Sequence, residues 1–260
     1  MKITQKAWIE YKNKLSAISK KASDELTEWI EEQGGLNTIN LDEMTAYTYG
    51  LTKKYGEASA ALSATMYDSV AEASGAATAA AEVAATASYP EVAASVQNIV
   101  ATSKNADYVG GVAGRLVKQA GADTTLKNAA RDGAEFAWIP TGDTCAYCLS
   151  VAAEGWQRAS KATLEGVHAD HIHANCDCEF MIRFNEETTV SGYDPDKYKE
   201  IYDSAEGETS AEKINYLRRE FYAENKEEIN EQKRISYARR TEELNSSAAE
   251  EYDLIFGGRD

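Results

Sequence analysis

Every cysteine and every histidine of this 260-residue chain falls between Cys145 and Cys178. The rest of the chain contains neither type. Four cysteines and three histidines scattered at random seldom gather this way, so the window is where metal or thiol chemistry has to be sought. It opens with a C-x2-C pair, Cys145 and Cys148, and closes with H-x-H-x2-C-x-C, formed by His171, His173, Cys176 and Cys178. A C-x2-C turn sets two thiolates on one side of a knuckle, at the spacing a tetrahedral zinc ion takes. A second pair from a distant segment completes the sphere. Soft thiolate and imidazole donors select zinc over magnesium or calcium. Two disulfides, or reduced thiols without metal, are the competing readings; a reducing compartment disfavours the first.

Seven candidates compete for four places. Cys145 and Cys148 form the first pair, and Cys178 with either Cys176 or His173 forms the second. His171 then serves to orient a ligand, and His168 is a polar loop residue. Four protein ligands leave no open position for water or substrate, which makes such a zinc structural.

The remaining chain sets the fold class. Trp8, Tyr11, Leu15, Ile18, Ala22, Leu26 and Ile30 recur at steps of three and four, one face of a helix. Gly34-Gly35 stops it, and Asn40 caps a second helix from Leu41. From about residue 57 to residue 97 the chain is rich in Ala, with no Lys or Arg between 61 and 90. Ala has the highest helix propensity, so this stretch reads as helix, either within a bundle or packed against a partner protein. Pro90 interrupts or starts a helix, and Gly110, Gly111 and Gly114 predict a weak or broken one. AEFAWIP from Ala134 reads as a strand followed by a turn. Cys178 to Phe184 reads as a second strand, with Phe180, Ile182 and Phe184 on one face. Thr209 and Glu212 fit a capping box that opens a charged helix with Ile214, Leu217 and Phe221 on its apolar face. The predicted fold is mainly α, with a small central α+β module stapled by a structural zinc. Its regions are a helical 1–110, Ala-rich from about 57, a Cys/His module over 111–190, and a charged helical 191–260.

Charge and missing motifs exclude several functions. Lys and Arg number 27 against 43 Asp and Glu, a net charge of −16, which suits no extended nucleic-acid surface. No run of 18 apolar residues occurs, so no membrane span is expected. The opening MKITQKAWIEYKNK carries charges where a secretory signal needs an apolar core. GGVAG near Gly110 lacks the Lys and Ser/Thr of a phosphate loop. The H-x-E that a zinc deaminase places before its C-x-x-C does not occur.

Arg131, the strand ending at Trp138, TGDTCAYCLSVAAEG and HIHANCDCEF together resemble the C-terminal module of tailed-phage minor head proteins, the Mu F-like head morphogenesis family. The resemblance covers about residues 115–185. Asp143 stands two residues before Cys145 where the family has three, and Ala174 takes the place of a common Pro. The resemblance implies a non-enzymatic virion component, assembled in the bacterial cytoplasm and acting in head morphogenesis at or near the portal. It also implies the portal or major capsid protein as partner, the packaged DNA as a neighbouring environment, and neither membrane nor small-molecule substrate.

The enzymatic alternative is an HNH-type metal-dependent endonuclease, in which Asp170-His171-Ile172 supplies the D-H-I strand and His171 activates water on a metal. No His follows His173 to complete such a site. Residues 131–190 hold 4 basic and 10 acidic residues, a poor surface for DNA.

Overall fold

The face marked by Trp8, Tyr11, Leu15, Ala22, Leu26 and Ile30 is buried along a single helix, α1 (Gln5–Glu32). The computed structural model describes residues 2–3, 5–103, 105–140, 144–160 and 178–231, with 234, 235 and 238. Gly34 and Gly35, at φ 87° and 95°, turn the chain out of α1 through the left-handed region that only glycine enters at little cost. Asn40 then opens α2 (Leu41–Ala73), its side chain accepting the Asp42 N–H at 2.8 Å. Ser88, Pro90 and Glu91 open α3 (Tyr89–Thr102), where the Glu91 carboxylate accepts the Ser88 backbone N–H at 2.7 Å. Asn105 caps α4 (Ala106–Asp132), and Gly133 at φ 67° ends it.

Two expectations for this half are corrected. Gly110, Gly111 and Gly114 do not break α4, which runs unbroken for 27 residues. Gly110 and Gly114 are points of close approach instead. A Cβ on Gly114 would lie 2.3 Å from Ser23 Oγ and 2.9 Å from the Ser19 carbonyl oxygen of α1. One on Gly110 would meet Thr27 Oγ1 at 2.1 Å, and one on Gly121 would meet Ser59 Oγ of α2 at 2.7 Å. The helix accepts the low propensity of glycine because the missing side chains let α1 and α2 lie against it.

The Ala-rich stretch is helical up to Ala73 and again from Tyr89, but not between them. Residues 76–88 run extended along α2 and α4, and none of them is buried. Their backbone is gripped by side chains. Asp68 Oδ1 accepts the Ala81 N–H at 2.8 Å, and Thr124 Oγ1 accepts the Ala84 N–H at 3.0 Å. Asn128 accepts the Glu82 N–H at 2.9 Å and donates its amide to the Glu82 carbonyl at 2.8 Å, as a neighbouring strand would. Arg131 donates to the carbonyls of Ala79 and Ala80 at 3.0 and 3.2 Å. Tertiary partners here override the propensity of alanine.

Two strands form as expected. β2 (Glu135–Ile139) pairs antiparallel with β4 (Glu179–Arg183), with Phe136 opposite Ile182 and Trp138 opposite Phe180. β3 (Gln157–Arg158) adds to the other edge of β2, giving the order β3-β2-β4. Phe180 and Ile182 share one face by this register, and Met181 on the other is equally buried, so both faces of β4 are covered. The Trp138 and Phe180 rings meet edge to face at 4.2 Å. A separate two-residue pairing joins β1 (Lys2–Ile3) parallel to β5 (Thr189–Val190).

Two apolar clusters result. One gathers Ala22, Leu26, Ile30, Met44, Leu51, Val92, Val96 and Val117 from α1 to α4. The other joins Trp8, Tyr11, Tyr67 and Leu126 to the sheet residues Phe136, Trp138, Phe180 and Met181. Burying a side chain of this size contributes roughly 1.5–3 kcal/mol.

The protein is therefore mainly helical with a small antiparallel sheet. It forms two compact units, Met1–Ile201 and Tyr202–Asp260. The division drawn at residue 110 falls inside α4, and that at 190 falls between β5 and α6 (Pro195–Ser204). In the second unit α7 (Ser210–Glu224) opens with the expected capping box: Thr209 Oγ1 accepts the Glu212 N–H at 3.2 Å, and Glu212 accepts the Thr209 N–H at 3.0 Å. No residue of α7 is buried, and Phe221 of its apolar face is exposed. No helix among the described residues is long and apolar enough to cross a membrane.

Candidate metal centre

α5 (Ala146–Ala152) begins at the C-x2-C pair because Cys145 takes the N-cap position. Its backbone is extended, at φ −64° and ψ 154°, and its Sγ accepts the Cys148 N–H at 3.4 Å. The cap that Ser or Asp usually provides is here a sulfur. Cys148 lies inside the first turn and is fully buried. The thiolate is the form that binds metal.

The surroundings are apolar and aromatic. Cys148 and Cys178 belong to the cluster built around Trp138 and Phe180, and Cys145 packs against it. Burial pushes the Tyr147 phenol up, and the neighbouring Cys148 and Cys145 raise it further. Burial likewise raises Tyr198, with added contributions from Cys178 and Asp194. Tyr193 Oη donates to the Ala152 carbonyl at 3.1 Å and so holds the far end of α5. Trp156 meets the Tyr193 ring edge-on at 6.0 Å, and the Arg183 guanidinium lies 4.8 Å from the centre of the Trp156 ring.

Cys178 sits at the other side of the window, immediately before β4. Next to it Glu179 is buried and pairs with Lys118 of α4 at 2.9 Å. Glu179 also adds to the burial that raises Tyr11, whose hydroxyl contacts Ser63 at 3.1 Å. On the neighbouring strand Glu135 pairs with Arg183 opposite it. These ionic contacts tie β4 to α4 and β2, and the sequence offered no local signal for them: Lys118 and Glu179 are far apart in the chain. The grip of Asn128 and Arg131 on residues 76–88 was missed for the same reason, although Arg131 had stood out as a motif residue.

Of the five expected metal ligands, the structure describes Cys145, Cys148 and Cys178. His173 and Cys176 lie outside the described residues, as do His168, Asp170 and His171. Among the described residues, no three His, Cys, Asp or Glu side chains come together in a group able to hold a metal ion. What is present is one ligand pair, arranged by a helix terminus, with Cys178 in the same apolar cluster. The donor chemistry fits zinc, and the pair alone does not complete a tetrahedral sphere.

No curated protein and no solved structure matched the chain. A family model did: the one described as VG15 protein matches residues 2–205, a span that takes in α1 to α6, the sheet and all of the Cys/His window. By that match the chain belongs to the VG15 protein family, a family of viral proteins.

Proposed function

We propose that this protein is a minor head protein of a tailed phage, non-enzymatic, acting in head morphogenesis at or near the portal. Membership of a viral family supports this, together with the resemblance of residues 115–185 to the Mu F-like module. The observation that carries the site is the sulfur-capped start of α5. Cys145 and Cys148 hold a zinc ion from one side, and Cys178 with either Cys176 or His173 holds it from the other. Zinc bound there supplies folding free energy to the stretch between α4 and β5, whose longest elements among the described residues are seven and five residues. The chain's own part is to preset the pair through the N–H···S bond and to bury Cys148 in the apolar cluster that holds Trp138 and Phe180. The portal or major capsid protein is the partner, and the virion is the destination.

Metal analysis of protein purified without added zinc tests the site. About one equivalent is expected, reduced sharply in Cys145→Ser and Cys148→Ser; metal-free folded protein would refute it. Co-purification with the portal and presence in purified virions test the role, and absence from both would overturn it. The endonuclease reading predicts metal-dependent DNA nicking that His171→Ala abolishes; we expect no nicking from either protein.

A further inference from the structure

The geometry points to residues 76–88 as a hinge through which two copies of this chain exchange their α1–α2 hairpins. Eight of these thirteen residues are Ala, and none is Gly or Pro, a composition that favours helix. Yet the segment is extended, and none of it is buried. It is held by polar side chains of α2 and α4: Asp68, Thr124, Asn128 and Arg131. It lies between α2, which ends at Ala73 and turns out through Gly75 at φ 66°, and α3, which starts at Tyr89 with Pro90 in its first turn. Once released, it can satisfy its own backbone hydrogen bonds as a helix between Gly75 and Pro90, bent at the proline.

Straightening the hinge takes α3 and α4 away from α1 and α2. The two apolar clusters are each built from both sides of the hinge. Leu26, Ile30 and Met44 meet Val92, Val96 and Val117 in one, and Trp8, Tyr11 and Tyr67 meet Leu126 and Phe136 in the other. Neither side keeps its core alone. Only a second copy of this chain carries the matching surfaces, including the glycine notches at Gly110 and Gly114 that receive Ser23 and Thr27. Reciprocal exchange restores every such contact between copies, leaves β1 of one copy to pair with β5 of the other, and adds helix at both hinges. A closed two-fold pair of this kind is the ordinary product of swapping through a hinge loop. The exchange keeps the cysteines of each copy together, because Cys145, Cys148 and Cys178 all follow the hinge in the chain.

The full chain, held concentrated in moderate urea and then returned to buffer, is the material for the test. Light scattering should find a dimer, and far-UV circular dichroism should show more helix per chain in the dimer than in the monomer. Asn128→Ala and Arg131→Ala loosen the strap and should each raise the dimer fraction several-fold; Arg131 lies at the surface and serves if Asn128→Ala does not fold. Ala85→Pro suits extended backbone and opposes helix, so it should stay monomeric after the same treatment. The inference is overturned if the loosened variants form no more dimer than the parent. It is equally overturned if the dimer gains no helix, or if Ala85→Pro dimerises as readily.

Discussion

Two stretches of this chain behave in opposite ways to their composition. α4 contains Gly110, Gly111, Gly114 and Gly121 and is a continuous helix. Residues 76–88 are mostly alanine and are extended. Glycine is among the weakest helix formers and alanine is the strongest, so intrinsic propensity predicts the reverse of both. The difference lies in what each stretch can touch. α4 is flanked by α1 and α2, and its glycines open room for the serines and threonines of those helices. The strap meets a row of side-chain donors and acceptors spaced to take an extended backbone. For a residue of small side chain the neighbours decide the backbone, because the residue itself brings little to bury.

Four substitutions break or sharpen this contrast. Gly114→Ala raises helix propensity and should still destabilise the fold by about 1–3 kcal/mol, because its Cβ meets the Ser19 carbonyl at 2.9 Å. Chemical denaturation measures it, and a gain in stability would mean that α1 and α4 are not packed as described. Asn128→Ala, which strips the strap of its strand-like partner, should cost about 1–2 kcal/mol. Amide exchange at Glu82 should speed up as well, and unchanged exchange would argue that the grip is unimportant.

Asp132 gives the pH-dependent member of the set. Its carboxyl is held below the ordinary carboxylate value, first by the hydrogen bonds from Arg131 and then by the Tyr67 hydroxyl at 2.7 Å. A depressed carboxylate contributes stability above its unfolded value of about 3.9 and loses it as pH falls through the lower folded value. The parent protein should therefore lose more stability than Asp132→Asn between about pH 5 and pH 2, read from urea midpoints at each pH. Parallel pH profiles would contradict the pairing. The smallest effect is expected at Val83 of the strap, which is 54% exposed. Val83→Thr should change stability by less than about 0.5 kcal/mol, and a larger loss would show that the strap is held by apolar contact after all.

The elements visible from sequence are those whose cause is local. The buried face of α1 follows from the spacing of its own apolar residues, Asn40 and the Thr209–Glu212 box act within three residues of themselves, and Pro90 marks the start of α3. Phe136 to Ile139 and Phe180 to Ile182 announce strands by residue type. The unbroken α4 and the extended strap have causes far away in the chain, in Ser23 and Thr27 for one and in Asn128 and Arg131 for the other. The candidate site divides along the same line. The C-x2-C spacing, a local feature, locates a cysteine pair at the head of α5. The burial of Cys178 beside the Lys118–Glu179 pair depends on a helix some sixty residues earlier.

α5 itself is seven residues long, too short to persist in water on its own. Its first end hangs on the sulfur of Cys145 and its last on the phenol of Tyr193. The cysteine pair is thus suspended at two points, one of them 41 residues downstream of Ala152. The chain around Tyr193 helps to hold, from its far end, the short helix that carries the cysteine pair.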